Sequence, residues 1–156
     1  MKLIKRLAYT LPLICASTMA IASEWAPLPT SKGSTWIGAS FKHIDSSTLA
    51  IICDRPKKLI SYTLNEPLAH WETGKKITVL VLADDGTQAQ PSTGVVINAT
   101  QVTVTEQSTR GLDIIGQAKS FFGIGAGGYG RIFPITNLRE ATTPALTACG
   151  GHWGAQ

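Results

Sequence analysis

The sequence predicts an α+β domain built on a mostly antiparallel sheet, sandwich-like or shaped as a half-barrel, with one internal helix and a C-terminal helix. Three observations predict it. Several short segments alternate apolar with polar or small residues, as strands half-buried in a sheet do. Turn-forming residues separate these segments at short intervals. Near the C-terminus the apolar spacing changes twice to the period of a helix, over residues 108–122 and 136–149.

Residues 1–22 have the three parts of a secretory signal peptide. The first six residues include three basic side chains, residues 7–14 are mostly apolar, and the small-residue cleavage site A-I-A ends at Ala22. The apolar run is short and interrupted, which argues against a membrane-spanning helix. We therefore expect cleavage near Ala22, a periplasmic or secreted mature protein, and no membrane span once the signal is removed.

The charge balance of the mature chain is close to neutral. The whole sequence has 14 Lys and Arg against 10 Asp and Glu, but three of the basic residues lie in the signal segment. Nucleic acid and anionic membrane are therefore not expected as partners. The remainder fits a single globular domain over residues 36–151, preceded by an extended arm over 23–35 and followed by a short tail over 152–156.

The predicted strands are short and bounded by turn residues. Asp45-Ser46-Ser47 joins the first two into a hairpin, and Asp84-Asp85-Gly86 supplies a tight turn after the fourth. The fourth strand has a continuous apolar centre, which predicts burial of both its faces. The predicted strands are Trp36–His43, Thr48–Asp54, Leu59–Leu64, Lys76–Ala83, Gly94–Ala99, Gln101–Thr105 and Arg131–Phe133.

Two helices are predicted in the C-terminal third. The first spans Ser108–Phe122, whose apolar residues lie near one side. The second begins at Thr136 or Asn137, because Asn137 is a favourable N-cap and Glu140 can complete a capping box. The pair Gly150 and Gly151 can end it in the left-handed conformation. One stripe of this helix is expected to pack against the sheet: Leu138, Ala141, Ala145, Leu146 and Cys149.

The mature chain keeps two cysteines, Cys53 and Cys149, because Cys15 leaves with the signal. Export delivers them to an oxidising compartment. We therefore predict a Cys53–Cys149 disulfide. It closes a loop of about 96 residues and, in the chain-entropy model, stabilises the fold by roughly 4–5 kcal/mol.

No segment carries a catalytic signature. The three histidines lack the paired spacings of zinc motifs, and no serine has the flanking glycines of a nucleophile elbow. Four carboxylates, Glu66, Glu72, Asp84 and Asp85, lie in or beside predicted loops, where contact with solvent is the default. We expect no metal, no cofactor and no catalysis; an enzyme with an unrecognised site is the least favoured hypothesis.

Two loops are the candidates for recognition. Gly123–Gly130 contains G-x-G-x-x-G twice, but it follows a predicted helix, whereas a dinucleotide loop follows a strand. We interpret it as a flexible connector or mobile binding loop with Tyr129 at its tip. The loop Pro67–Gly74 carries the second candidate set, His70, Trp71 and Glu72. The alternative for Trp71 is a ring that folds back on the sheet.

The order of several features extends over most of the mature chain. A tryptophan lies near the start, and a strand ends at Ile51-Ile52-Cys53-Asp54. The helical stretch Gly111–Phe122, the segment Phe133–Leu138 and an Ala/Leu helix reaching Leu146 follow. This layout resembles the invasion-associated locus B group of small exported proteins in alphaproteobacteria. The resemblance implies a periplasmic or surface β-rich protein connected with host interaction or the envelope, without known catalysis, and it carries over no site residues.

Two functional hypotheses follow. The first is a noncatalytic periplasmic binding or accessory protein with an unidentified protein partner. The alternative is an inhibitor or immunity protein that blocks a cell-wall hydrolase by inserting the loops around Trp71 and Tyr129.

Overall fold

The structure, a computed structural model, describes residues 24–89, 91–106 and 110–153. The predicted signal segment, its cleavage site and residues 154–156 of the predicted tail lie outside the described residues. Within the described ranges, neither helix is long and apolar enough to cross a membrane.

The described chain forms a sheet-rich fold with two helices. All nine strands belong to one sheet, in the order β1-β2-β3-β4-β7-β6-β5-β8-β9, and every neighbouring pair is antiparallel. The mostly antiparallel, sheet-dominated prediction is therefore confirmed. The elements are β1 Ala26–Pro27, β2 Trp36–Lys42, β3 Thr48–Asp54, β4 Leu59–Asn65, β5 Lys76–Ala83, β6 Ser92–Asn98, β7 Gln101–Glu106, α1 Arg110–Gln117, β8 Phe121–Ala126, β9 Tyr129–Pro134 and α2 Leu138–Ala148.

Both predicted tight turns are confirmed. In the turn between β2 and β3, the Asp45 carboxylate accepts hydrogen bonds from the backbone N–H and the hydroxyl of Ser47, at 3.0 and 2.6 Å. After β5, the Gly86 N–H donates to the carbonyl of Ala83, and Gly86 has a φ of 86°. The chain then returns along β5 before entering β6.

The two ends of the sheet meet through side chains. The Trp25 indole N–H donates to the carbonyl of Pro134 at 2.8 Å, and His43 Nε2 lies 2.7 Å from the carbonyl oxygen of Ile132. The rings of Phe41 and Phe133 meet edge to face in the core, with centroids 6.0 Å apart. Trp25, in the segment predicted to be an arm, is buried among these aromatic rings. The sheet therefore curves until its first and last strands lie across one core.

One face of β5 is buried and the other faces outward. Val79, Val81 and Ala83 lie in the core, whereas Leu82 is 37% exposed. The prediction that both faces are buried is wrong, because no described element covers the outer side of this strand. An apolar run in a strand predicts burial of both faces only where both sides of the sheet are covered.

The glycine-rich segment forms a hairpin. α1 ends at Gln117, and Phe121 and Phe122 open β8 instead of extending the helix. The predicted helix end at Phe122 and the predicted mobile loop at Gly123–Gly130 are both wrong. Phe122, Ile124 and Ala126 alternate with outward residues at the strand period and pair with β5. This long-range pairing overrides the helical spacing.

α2 confirms the predicted stripe and the predicted end. Its buried face packs on β1, β2 and β3, and Gly150, with a φ of 79°, follows the helix. Asn137 lies at the predicted N-cap position, but the predicted capping bond is absent: Asn137 has a φ of 59° and donates through Nδ2 to Glu24 at 2.8 Å. The Cys53–Cys149 disulfide is confirmed and joins the end of this helix to β3.

A candidate interaction surface at the loop end of the sheet

Four connections lie together at one end of the sheet, which we call the loop end. They are the β2–β3 turn, the loop over residues 66–75, the β6–β7 turn and the β8–β9 turn. The disulfide lies toward the opposite end, where it joins Cys53, one residue before the end of β3, to Cys149, directly after α2. Because antiparallel hairpins return every second connection to the same end, distant parts of the sequence meet here.

Both predicted recognition loops lie at the loop end and are in contact. The rings of Trp71 and Tyr129 meet edge to face, with centroids 5.7 Å apart. The Tyr129 hydroxyl donates to the carbonyl of Leu68 at 3.0 Å. Tyr129 itself opens β9, so the hairpin, and not a mobile loop, places it beside Trp71.

Trp71 combines the two interpretations made for it. Its ring is half-buried and packs against the core, as a tryptophan that folds back on the sheet would. A Cβ at Gly127 would lie 2.6 Å from Trp71 Nε1, and Gly127 has a φ of +53°. Glycine is therefore required at this turn both by its backbone angle and by the indole that lies on it.

His70 and Glu72 lie on the solvent side of the 66–75 loop. Both are exposed, and the Glu72 carboxylate pairs with the ammonium group of Lys75, with both side chains more than half exposed. Exposed pairs of this kind contribute little to stability. The structure therefore brings Trp71 and Tyr129 together, and places these two polar residues on the rim.

An open groove runs from Tyr129 along the outer side of the hairpin. It has a volume of about 570 Å³ and is lined by β5 residues Ile77, Thr78 and Leu80 and by residues 125–129. The lining contains no Asp, Glu, Lys, Arg or His residue. The lining favours apolar and backbone contacts with a ligand.

A buried ion pair, missed by the sequence analysis, lies behind this surface. The Glu66 carboxylate is fully buried, and Arg131 is one-quarter exposed. Arg131 Nη2 donates a hydrogen bond to Glu66 Oε1 at 2.8 Å, and Arg131 Nε lies 2.7 Å from Oε2 in an ion-pair contact that is not aligned as a hydrogen bond. The prediction of a solvated Glu66 is wrong. The inward alternation of Ile60, Tyr62 and Leu64 continues to Glu66 and is the signal that could have found it.

Asp45 links the β2–β3 turn to the same guanidinium. Its Oδ2 lies 3.6 Å from Arg131 Nη2. The hydrogen bonds from the Ser47 hydroxyl and N–H hold the pKa of Asp45 below its usual value, and the positive charge of Arg131 lowers it further. The carboxylate is therefore ionised at neutral pH.

Two large apolar side chains project into solvent from these connections. Ile44, beside Asp45, is 85% exposed, and Leu68, two residues after Glu66, is 68% exposed. Burial of such side chains against a partner is a large favourable term in association. Neither was singled out from the sequence, because one apolar residue in a loop has no periodic signal.

The side chains of this surface offer packing contacts and charged groups to a partner. Aromatic and aliphatic side chains lie around the Glu66–Arg131 ion pair, in which one hydrogen bond joins the two side chains and the Leu68 N–H donates to the same carboxylate. Among the described residues, no group of three His, Cys, Asp or Glu side chains is arranged to hold a metal ion. Comparison of the chain with known protein families, with curated proteins and with solved structures finds no match.

Proposed function

We propose that the protein is an exported, noncatalytic binding or accessory protein that engages a protein partner in the periplasm through the loop end. The observation that carries this proposal is the contact between Trp71 and Tyr129 with the exposed side chain of Leu68 beside them. The buried centre of a protein interface is enriched in aromatic residues and is more apolar than the rest of the surface.

Export is proposed from two features. Residues 1–22 read as a signal peptide, and the disulfide is of the kind that persists in oxidising compartments. We further infer that the curved sheet works as a half-barrel scaffold. Membership of the invasion-associated locus B group remains a prediction from layout.

An inhibitor of a cell-wall hydrolase is the second candidate, favoured by the fixed backbone of the 66–75 loop. Three of its backbone N–H groups donate to backbone carbonyl oxygens: Ala69 to Glu66, Trp71 to Ala99 and Gly74 to Val96, at 3.0, 2.9 and 2.9 Å. A loop held in one conformation loses little entropy on binding, which favours tight insertion into a cleft.

The test is a binding experiment on residues 23–156, immobilised and exposed to periplasmic extract and to purified lysozymes and amidases. Leu68→Asp is the informative variant, because Leu68 is exposed, whereas truncating the half-buried Trp71 would also disturb the fold. Leu82→Asp is the matched control, since Leu82 is 37% exposed on the outer face of β5, toward the other end.

We expect one stoichiometric partner that the wild type and Leu82→Asp retain and that Leu68→Asp loses. Equal retention by both variants would contradict binding at the loop end. The inhibitor candidate makes a further demand: the captured protein must be a wall hydrolase whose activity falls to zero at one equivalent of this protein.

A further inference from the structure

Arg131 lies on one of the three segments that carry the exposed and aromatic side chains of the loop end, and its guanidinium contacts the other two. It lies on the hairpin that presents Tyr129, two residues away and on the same inward face of β9. Its guanidinium pairs with Glu66 at the start of the 66–75 loop and lies 3.6 Å from Asp45 in the β2–β3 turn.

The contacts continue from the ion pair into the recognition loop. Glu66 Oε1, which accepts from Arg131, also accepts the backbone N–H of Leu68 at 3.2 Å. The carbonyl of Leu68 accepts the Tyr129 hydroxyl at 3.0 Å. The backbone N–H of Leu68 is therefore bonded to Glu66, and its backbone carbonyl is bonded to Tyr129, the residue that contacts Trp71.

Stability alone is a weak reason for a charged pair at this position. Replacing a buried ion pair with apolar residues of similar volume is often neutral or stabilising, because the pair loses its hydration on burial. A guanidinium fork does fix distance and direction, which an apolar contact does not.

We propose that Arg131 is the positioning residue of the interaction surface, holding the β2–β3 turn, the 66–75 loop and Tyr129 in one arrangement through Glu66 and Asp45. The inference rests on the proposed function for the meaning of that arrangement, but its test needs no partner.

The test is hydrogen–deuterium exchange of the Leu68, Ala69 and Trp71 amides, with the Ile51 amide of β3 as the reporter of global unfolding. Three altered proteins are compared: Arg131→Met, Arg131→Lys and the double variant Glu66→Met with Arg131→Met. Arg139→Met is the matched control, because Arg139 is also an arginine held by a hydrogen bond, but its guanidinium donates to the carbonyl of Gly116 at 2.6 Å and so joins α2 to α1, not the loops.

In Arg131→Met and Arg131→Lys we expect the three loop amides to exchange about tenfold faster or more, through local opening. Lysine does not restore protection, because one ammonium group cannot take the place of the two guanidinium nitrogens that lie against the Glu66 oxygens and Asp45. In Arg139→Met the loop amides keep their wild-type rates.

The double variant Glu66→Met with Arg131→Met distinguishes the effect of the ion pair on loop position from its effect on the stability of the whole domain. Its melting temperature is expected to equal or exceed that of Arg131→Met, while its loop amides remain fast and its near-ultraviolet circular dichroism, sensitive to the Trp71–Tyr129 pair, differs from the wild type. Wild-type exchange at Leu68 and Ala69 in this variant would overturn the proposal, even if Arg131→Met does not fold. Failure to find a partner would instead remove the proposed function and leave these exchange results unchanged.

Discussion

Removal of the Cys53–Cys149 disulfide measures how far the stability of the domain depends on tying α2 to the sheet. The bond joins residues separated by 96 positions. In the chain-entropy model, a closed loop of this length raises the free energy of unfolding by about 4.7 kcal/mol at 25 °C, because it restricts the unfolded chain. At roughly 3–4 °C for each kcal/mol in a domain of this size, the melting temperature falls by about 14–19 °C without the bond.

The assay is thermal unfolding of residues 23–156, followed by far-ultraviolet circular dichroism. Two forms lack the bond: the wild type in reductant and the double variant Cys53→Ala with Cys149→Ala. Because Cys53 is fully buried, the alanine variant also loses packing, and the reduced wild type isolates the effect of the cross-link. Thr147→Ala, on the exposed side of α2, is the control and shifts stability by less than about 0.5 kcal/mol.

Two results would refute this reasoning. A reduced wild type that melts within about 3 °C of the oxidised protein would show that loop closure contributes less than 1 kcal/mol. An intact mass of the unreduced protein with two free thiols would remove the bond itself.

Three further predictions concern single side chains. The Asp84 carboxylate accepts the N–H groups of the α1–β8 connection, at 3.0 and 2.7 Å, and these bonds hold its pKa below 3.8. Its contribution to stability is therefore present above about pH 4 and lost as the pH falls through the folded-state pKa. The free energies of unfolding of Asp84→Asn and the wild type, measured in urea melts, should therefore differ at pH 7 and converge as the pH falls through that pKa. Gly127→Val should lower the free energy of unfolding by about 1–3 kcal/mol in urea melts, because valine would have to adopt a positive φ and its side chain would meet the indole of Trp71. The control Gly123→Ala should lower it less, because a Cβ at Gly123 meets no atom closer than 3.8 Å. Equal losses in the two variants would contradict this prediction. Burial and the negative charge of Glu106 raise the pKa of Tyr62 above its ordinary value of 10, so the native protein at pH 11 should show no more phenolate absorbance than Tyr62→Phe.

The sequence predicts the regular strands of this fold well. The bounds of β3 and β5 agree with their predicted bounds, Thr48–Asp54 and Lys76–Ala83. Both segments have strand-forming residues between turn residues, so local chemistry suffices to place their ends. The Cys53–Cys149 pairing was also predictable, because the sequence after the predicted signal peptide has two cysteines.

Local sequence patterns were not sufficient to predict the β8–β9 hairpin. Phe122 fits the helical spacing of the preceding residues and also the strand spacing of Ile124 and Ala126, and pairing with β5 decides between them. A partner strand distant in sequence is not visible in a window of 15 residues. The same limit hid the contact of Trp71 with Tyr129, although both residues were predicted as recognition candidates.

The site's ion pair was missed for a different reason. Glu66 lies one position past the last residue of β4, and a charged residue at that place is exposed by default. Its burial depends on Arg131, 65 positions later in the chain. The sequence predicts Arg131 only as part of a short strand. The pair becomes predictable only when β4 and β9 are both known to face one interior.

The side-chain closure between the first and last strands has a consequence for the order of folding. Trp25 and Pro134, which share a hydrogen bond, are 109 positions apart. The early strands can pair with one another as soon as they exist, but the aromatic cluster around Trp25 stays incomplete until β9 has formed. Contacts of such long separation fold slowly and leave apolar surface open meanwhile. The interval before closure is therefore the period in which this chain is most exposed to aggregation and proteolysis.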